Sequence, residues 1–446
     1  GGRLKDVRMS FTDLALRLFL QIAVILGACY VVGIIARRIG QLLVVAEMIA
    51  GILLGPSLLG WLAPGVQQWL FPLTATIGTA GGSVTIAHPS MSILYAISQV
   101  GIAIYMFLVG LEFEGKLLRG GSKKVGLLAG AGIVVPLLLG ITVTLWFYHV
   151  PNLFGASTSI WVGALFVGSA LSITAFPVLA RMLQEYSLTT TRLGTLALMA
   201  ASIDDVICWC LLAIVLASFK SSLLIALLAI GGGLLYIVTM LTIGRRALGI
   251  VVNRTEQLQS VTRSALIIVL IVLMLSSWFT LAIGIHQIFG AFVLGVALPR
   301  GRLVDEIRKQ FEPLTTYVLL PTFFAFSGLN TRIGLLNTPA LWLIMALIFV
   351  VALLGKAGSC TLAARAAGES WREAAAIGTL MNSRGLIELI MLNIGLEEHI
   401  ITPTLFTILV LMAIITTLVA SPVFERIYGR IDPDWKRQLA IQRQKA

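Results

Sequence analysis

The chain has 446 residues, of which 58% are hydrophobic and only 12% are charged, and its mean hydropathy is +0.98. Soluble globular proteins carry about 25% charged residues, so this composition excludes an ordinary soluble protein and indicates a polytopic membrane protein. The net charge of +12 could also suit a nucleic-acid-binding protein, and the distribution of the charges along the chain has to decide between the two.

Hydropathy divides the chain into thirteen predicted spans, all helical, because an open sheet edge cannot lie unpaired in lipid. The spans are 14–36, 42–61, 91–112, 124–147, 158–183, 193–219, 221–244, 263–283, 286–299, 313–329, 338–362, 372–395 and 402–424. They make up a transmembrane domain over 14–424. It follows a leader at 1–13, with an expected cloning remnant at 1–2, and precedes a short basic tail at 425–446.

The basic residues alternate between the two sides of the predicted membrane domain. Of the 32 Lys and Arg residues, 24 fall in one set of alternate loops and the C-terminal tail, and 5 fall on the opposite side. The positive-inside rule therefore predicts that the N-terminus lies outside and the C-terminus in the cytoplasm. The excess charge reflects topology, so no nucleic-acid partner is expected. A bacterial plasma membrane is favoured, with an organelle membrane as the alternative.

An odd number of spans suggests a repeated architecture. Spans 1–6 and 8–13, joined by span 7, would be two halves that enter the membrane from opposite sides, as in many secondary transporters. We therefore predict an all-α integral membrane protein with two inverted six-helix repeats and crossed discontinuous helices. The evidence for the repeat is helix count and orientation, not sequence self-similarity.

The fifth and twelfth spans, which correspond under this plan, both contain residues that interrupt a helix. The fifth contains Ser-Ile-Thr-Ala-Phe-Pro at 172–177, and the twelfth contains Met-Asn-Ser-Arg-Gly at 381–385. Matched interruptions point to a binding site at the membrane midplane. Ser172, Thr174, Asn382 and Ser383 are the predicted polar residues of these interruptions. A kinked packing helix remains the alternative for either interruption alone.

Two adjacent carboxylates, Asp204 and Asp205, lie in the middle of the sixth span. Ionisable groups within a membrane are rare and usually face a polar cavity or an ion pathway. Neighbours about 100° apart on a helix would share such a cavity. Carboxylate oxygens can hold either protons or an alkali cation, and helix breaks supply carbonyl oxygens. We predict the ion- and proton-binding site here, with a satisfied structural network as the alternative.

Other charged residues within the spans receive supporting roles. Lys356 could extend to the interface or serve as the counter-charge of an aspartate, and the second role is favoured. Arg384 and Glu388 stand four residues apart and predict an intrahelical ion pair, with Arg384 also near the carbonyl end of a half-helix. Glu47 is interpreted as structural and His286 as interfacial.

Two other classes of protein bury acidic residues in a membrane. An intramembrane aspartyl protease faces its two Asp residues across two helices, which adjacent residues on one helix cannot do. A passive cation channel is a better rival, since it needs an open path but no coupling to protons. We predict no enzyme activity and no cofactor.

The chain resembles the cation:proton antiporter-2 family, and within it most closely the plant cation/proton exchangers and their bacterial relatives. Six stretches carry the resemblance in the expected order across the membrane domain. They are Ala-Glu-Met-Ile-Ala-Gly-Ile-Leu-Leu-Gly-Pro (46–56), Phe-Leu-Val-Gly-Leu-Glu (107–112), Ser-Ile-Thr-Ala-Phe-Pro-Val-Leu-Ala-Arg (172–181), Phe-Gly-Ala-Phe-Val-Leu-Gly (289–295), Leu-Pro-Thr-Phe-Phe-Ala-Phe-Ser-Gly-Leu (320–329) and Met-Asn-Ser-Arg-Gly-Leu-Ile-Glu-Leu (381–389).

The resemblance implies a homodimer in which a core moves like an elevator against a dimerisation part. The core would be about 124–219 and 338–424, the dimerisation part about 14–112 and 263–329, and the linker helix 221–244. By resemblance, Asp205 carries the ion and the proton, and Lys356 pairs with Asp204. The Asp-Asp pair departs from the Asn-Asp usual in the closest branch and resembles electrogenic sodium/proton antiporters.

The function predicted from the sequence is exchange of a monovalent cation, Na⁺ or K⁺, for protons, with both competing at Asp204 and Asp205. A potassium efflux system or a passive cation channel of related fold is the alternative. The sequence leaves open the choice of cation, the stoichiometry, the working pH and the presence of a regulatory domain.

Overall fold

The computed structural model describes residues 11–38, 41, 43–79, 82–112, 123–188, 191–219, 223–429 and 432. Most of the predicted leader and most of the predicted tail, together with Lys220, lie outside the described residues. Within them the chain is helical apart from one β-hairpin. This part of the prediction, an all-helical membrane protein, is confirmed at that level.

The α-helices follow one another with short connections. They are α1 (Phe11–Arg38), α2 (Leu43–Leu54), α3 (Leu59–Leu62), α4 (Pro64–Leu70), α5 (Pro89–Glu112), α6 (Lys123–Phe147), α7 (Ile160–Ser172), α8 (Phe176–Glu185), α9 (Arg192–Phe219), α10 (Leu223–Thr239), α11 (Arg245–Gln257), α12 (Arg263–Ala282), α13 (Gln287–Ala297), α14 (Arg302–Leu314), α15 (Leu320–Leu329), α16 (Pro339–Ala352), α17 (Ser359–Ala366), α18 (Trp371–Met381), α19 (Leu386–Glu397) and α20 (Pro403–Tyr428). Three π-helical segments, Met240–Gly244, Thr315–Leu319 and Leu353–Gly358, and one 3₁₀ turn, Ile333–Leu335, complete the helical structure of the described residues.

Nine helices in the described part of the chain are long and apolar enough to cross a membrane, against thirteen predicted spans. The difference has a local cause. The fifth and twelfth predicted spans are each divided into two short helices, and α13 has only 11 residues. The tenth predicted span coincides with the π-helical segment Thr315–Leu319 and α15.

A β-hairpin departs from the all-helical expectation. Strands β1 (Thr74–Thr79) and β2 (Gly82–Ala87) pair antiparallel, with Thr74 opposite Ala87 and Thr79 opposite Gly82. The segment lies between two predicted spans. Its Thr, Ile and Val residues favour strands, and Gly82 allows a tight connection. The membrane argument for helices does not apply to a connecting segment, and the hairpin was therefore missed.

Two helices extend beyond their predicted ends. The helix that begins at Leu223 does not stop at residue 244 but continues through a π-helical turn to Gln257. Likewise, helix begins at Arg302 and reaches Leu329, so basic residues assigned to a loop are helical. In both cases an amphipathic stretch with a charged face continues an apolar span, and hydropathy detects only the apolar part.

The chain forms two compact units. The first comprises Gly1–Ala36, Ala46–Phe113 and Leu234–Gly334. In it α5 packs on α13, and α2 packs on α15. A Cβ atom added at Gly51 would collide with the backbone of Ala325, so this crossing requires glycine. The small residues thus allow backbone-to-backbone packing, as is typical of membrane helices.

The second unit comprises Arg37–Val45, Glu114–Gly233 and Leu335–Ala446. Here α6 packs on α7, and α18 packs on α17 and α20. The buried carboxylate of Glu369 accepts hydrogen bonds from Lys124 at 3.2 Å and from Arg192 at 2.6 Å, which ties together the first turns of α6 and α9 and the start of α18. All residues of the predicted ion site lie in this unit.

Candidate functional site

Both predicted helix interruptions are present. Helix α7 ends at Ser172, residues 173–175 are not helical, and α8 starts at Phe176. Pro177 therefore stands in the first turn of α8, where a backbone N–H is not needed. Helix α18 ends at Met381, and after a four-residue gap α19 starts at Leu386. Each interruption exposes the carbonyl end of one half-helix and the N–H end of the next.

The two interruptions are joined to each other. The backbone N–H of Ala175 donates to the carbonyl of Ser383 at 3.0 Å. The hydroxyl of Thr174 donates to the carbonyl of Met381 at 2.9 Å. Backbone groups released by one break are therefore satisfied by the other, which removes much of the cost of unpaired polar groups in an apolar environment.

Lys356 and Asp204 form an ion pair with no solvent exposure. The ammonium Nζ lies 2.6 Å from Oδ2 of Asp204, and both side chains are fully buried. The same Nζ donates to the carbonyls of Ser172 at 2.5 Å and Gly132 at 2.7 Å. The three N–H donors of the ammonium thus have three acceptors. A buried charge is tolerated when it is paired and fully hydrogen-bonded in this way.

The local backbone explains how Lys356 reaches this position. It lies in the π-helical segment Leu353–Gly358, a type of distortion that often occurs at functional sites. On the facing helix α6, a Cβ atom added at Gly132 would lie 2.8 Å from the sulfur of Cys360 and 3.5 Å from Nζ of Lys356. Glycine therefore leaves room for the ammonium to reach the backbone carbonyl.

Asp205 has a different environment from its neighbour. It is 3% exposed, and neither carboxylate oxygen accepts a hydrogen bond of normal geometry from the described residues. The backbone N–H of Phe176, at the start of α8, interacts with it, but outside the geometry of a regular hydrogen bond. Asp204 in contrast accepts from Lys356 and, at 2.9 Å, from Thr174. The two adjacent aspartates thus divide into one that is held and one that is available.

Further buried polar atoms of the interruptions have no hydrogen-bond partner among the described residues. They are Oδ1 of Asp204, both amide atoms of Asn382, and the hydroxyls of Ser169 and Ser383. Such groups are costly to bury unless water or an ion satisfies them. Carboxylate, amide and hydroxyl oxygens are the ligands that hard cations prefer. Ser172 differs, because its hydroxyl donates to the carbonyl of Ser169 at 2.7 Å.

Arg384 lies across the carbonyl end of the opposite half-helix. Its guanidinium donates to the carbonyls of Ala170 at 2.9 Å and Leu171 at 2.7 Å, and to Oε1 of Glu388 at 3.3 Å. Both charged side chains are buried, at 1% and 0% exposure. A cation at the C-terminal end of α7 stabilises the partial negative charge there. The arrangement combines the predicted intrahelical pair with a contact to the other interruption.

Thr417 on α20 is a residue that the sequence analysis did not identify. Its hydroxyl accepts from the backbone N–H of Arg384 at 3.0 Å and lies 3.1 Å from the carbonyl of the same residue. No motif marks it, since it is one of many Thr residues in an apolar helix. Gly132 was missed for the same reason, because its contribution is a backbone carbonyl.

We expect Thr417→Val to destabilise the protein by about 1–3 kcal/mol, since it leaves the buried N–H of Arg384 unpaired. Thr416→Val is the matched control, because the hydroxyl of Thr416 bonds only to carbonyls within its own helix. Thermal unfolding of both purified variants in detergent measures the difference. Equal melting temperatures for the two variants would show that Thr417 does not support the interruption.

The two remaining candidates lie in the first unit. Glu47 is buried on α2, at 3% exposure, and has interactions within the described residues. His286 precedes the first residue of α13 and is partly buried. Neither belongs to the group of residues around Asp204.

Comparison with known proteins gives a consistent result. Residues 23–428 match the model of a family described as "Sodium/hydrogen exchanger, transmembrane". The chain is 41% identical over 422 residues to the Na⁺/H⁺ antiporter NhaS4 of Synechocystis sp., covering 94% of this chain and 98% of that protein. It is 32% identical over 431 residues to the K⁺/H⁺ antiporter 1 of Saccharomyces cerevisiae, covering 94% of this chain and 47% of that protein. The chain therefore spans nearly all of the first relative and about half the length of the second.

Among solved structures, the fold is similar to that of the sodium proton antiporter MjNhaP1 from Methanocaldococcus jannaschii. The TM-score is 0.61, with 97% of this chain and 98% of that chain covered, at 16% sequence identity. At this identity the similarity concerns the fold alone.

Proposed function

Because the chain belongs to the sodium/hydrogen exchanger family, in its cation:proton antiporter-2 branch, we propose that it exchanges Na⁺ or K⁺ for protons across a membrane. The family relationship predicted from six sequence motifs is confirmed, and the chain is a multi-pass member of a transporter family and not of an enzyme family. One similar protein is named for Na⁺ and another for K⁺, so both cations are carried forward as substrates.

Competition at Asp205 is the proposed chemical step. The observation that supports it is the contrast between Asp204, which is fully engaged, and Asp205, whose oxygens have no regular hydrogen bond. A protonated Asp205 carries no charge, and loss of its proton creates the negative site that a dehydrated cation needs. Asn382 and Ser383 supply further oxygens in this proposal. Ser172 and Thr174 hold the interruption together and position Asp204.

Lys356 is proposed as the counter-charge that keeps the empty carrier stable. A cation that approaches Asp204 competes with the ammonium for the same carboxylate oxygen. If Lys356 then gives up its proton, each cycle moves more protons than cations and responds to membrane potential, at about 2.3 kcal/mol per charge per 100 mV. If Lys356 keeps its proton, the cycle is electroneutral. Arg384 and Glu388 remain charged supports of the broken helices.

Alternating access is proposed to carry the site across the membrane. In this proposal thirteen helices form two inverted repeats with crossed discontinuous helices, and a core of about 124–219 and 338–424 moves against a dimerisation part of about 14–112 and 263–329. The bonds between the two interruptions support movement of the site as one body. We further propose a homodimer with its N-terminus outside and its C-terminus in the cytoplasm, in a bacterial plasma membrane.

Ion-driven pH change in proteoliposomes tests the proposal. Purified protein is given pulses of Na⁺, K⁺ or Li⁺, with the membrane potential clamped or free, and the internal pH is followed by a trapped dye. Antiport predicts proton movement that requires the transported cation on the opposite side. Cation flux without any proton coupling would instead establish the alternative, a passive channel or efflux path.

The same assay tests competition between the two ions. We expect the apparent KM for the cation to rise as the pH falls, by up to about tenfold per pH unit for each proton displaced. The maximal rate at saturating cation should change much less over the same range. A KM that is independent of pH, with only the maximal rate changing, would contradict a shared site.

A further inference from the structure

A surface groove on the first unit lies beside the junction of α10 and α11. It has a volume of about 470 Å³, and its lining includes Arg245, Arg246, Gly249, Asn253 and Pro299. The two arginines and Asn253 are exposed. Arg245 follows directly on the π-helical segment Met240–Gly244. The proposed antiport mechanism uses none of these residues.

The groove lies where an apolar helix surface becomes basic. The helix from Gly231 to Gln257 is apolar enough to cross a membrane, and only 17% of its most apolar window is buried within the protein. Ahead of the arginines, Leu235 is 66% exposed, Val238 59% and Ile243 66%. Such side chains face acyl chains in a bilayer, and the first charges mark the level of the headgroups. The groove therefore opens at the boundary between the hydrocarbon core and the headgroup layer.

The charge of Arg245 and Arg246 is not balanced within the described part of the protein, where neither side chain forms an ion pair or a hydrogen bond. Nearby basic residues differ in this respect. The Nε atom of Arg302 lies 3.6 Å from the carboxylate of Glu256, and its backbone N–H donates to the same group at 2.6 Å. Arg300 donates to the carbonyl of Leu111. The unbalanced positive charge is thus concentrated at the groove.

The floor of the groove leaves room for a ligand. A Cβ atom added at Gly249 would meet its nearest neighbour, Cγ of Pro299, at 3.9 Å, which is ordinary contact. A larger side chain at this position would fill the groove without disturbing the backbone. The two guanidinium groups offer planar, forked donors that match phosphate oxygens, and the amide of Asn253 adds one more donor.

We propose that this groove binds the phosphate headgroup of an anionic phospholipid, with the acyl chains lying along the exposed apolar face of α10. The shared chemistry is a phosphate anion, and the adjoining apolar surface favours a lipid over a free phosphate. The proposal does not depend on antiport activity. The proposed topology places the lipid in the cytoplasmic leaflet, where anionic headgroups are attracted by basic side chains.

Native mass spectrometry of the delipidated, full chain in neutral detergent tests the proposal. Binding of phosphatidylglycerol, phosphatidylcholine and inorganic phosphate is titrated for three variants. Arg245→Gln/Arg246→Gln removes the charges, Gly249→Leu fills the groove and keeps the charges, and Arg254→Gln removes an exposed arginine of the same helix that does not line the groove. Melting temperatures without lipid check that each variant is folded.

The expected result is preferential binding of phosphatidylglycerol that falls about thirty-fold in the double variant, from about 1 kcal/mol per basic side chain. Gly249→Leu should weaken binding to a similar extent, and Arg254→Gln should leave it within about twofold. Equal binding of the two lipids, an equal loss in Arg254→Gln, or full binding in Gly249→Leu would each overturn the proposal. Displacement of the lipid by inorganic phosphate at similar concentration would identify a free-anion site instead.

Discussion

Asp205→Asn is expected to abolish cation-dependent proton movement without lowering the stability of the protein. The substitution keeps the size of the side chain but removes the charge that proton and cation would share. Because neither oxygen of Asp205 accepts a regular hydrogen bond, the variant loses no favourable contact. It also removes a buried carboxylate that is expensive to ionise. Proteoliposome assays and thermal unfolding in detergent measure the two effects separately.

Asp205→Glu serves as the companion variant, since it keeps the charge on a longer side chain. We expect partial activity with an altered KM for the cation, because the oxygens are displaced by about one bond length. Retained exchange in Asp205→Asn, with normal expression, would show that the competing site lies elsewhere. A large fall in melting temperature in the same variant would show that Asp205 is a structural residue.

Separation of the Lys356–Asp204 pair is expected to give the largest loss of stability in the protein. Asp204→Asn or Lys356→Gln alone leaves one uncompensated charge with no solvent exposure, at a cost of about 3–5 kcal/mol. The double variant Asp204→Asn/Lys356→Gln should recover part of this loss, since no unpaired charge remains. Thermal unfolding of the two single variants and the double variant gives the coupling energy.

Lys124→Gln provides the control for this cycle. Lys124 also pairs with a buried carboxylate, that of Glu369, but its own side chain is 41% exposed and Arg192 contacts the same oxygen. We expect a change of at most about 1 kcal/mol. Additive effects of Asp204→Asn and Lys356→Gln would contradict the pairing as a source of stability. In proteoliposomes, Lys356→Gln should lose any response to membrane potential if Lys356 gives up a proton in the cycle.

The sequence predicted the parts of the fold that depend on local composition. Apolar length located the long helices, and the interruptions at 172–177 and 381–385 follow from residues that cannot continue or do not favour a helix. The extension of α11 to Gln257 and the hairpin at Thr74–Ala87 were missed. Hydropathy does not report amphipathic or extramembrane structure.

The site was accessible to sequence analysis only where its chemistry lies in unusual side chains. Asp204, Asp205, Lys356 and Arg384 stand out because a charge in an apolar span is rare. Gly132 contributes a carbonyl and Thr417 a hydroxyl bonded to backbone, and neither residue type is unusual in a membrane helix. Their contributions depend on which helices meet in space, which the order of residues along one helix does not contain.

The backbone bond between Ala175 and Ser383 has a consequence for how transporters of this kind can diversify. It joins the two interruptions through atoms that every residue except proline possesses, so the scaffold of the site does not depend on the side chains at either position. The hydroxyl of Ser383 and the amide of Asn382 make no hydrogen bond within the described residues and carry none of the folding. Substitution there can therefore change ion preference at little cost in stability, and selectivity can drift between lineages while the architecture stays fixed.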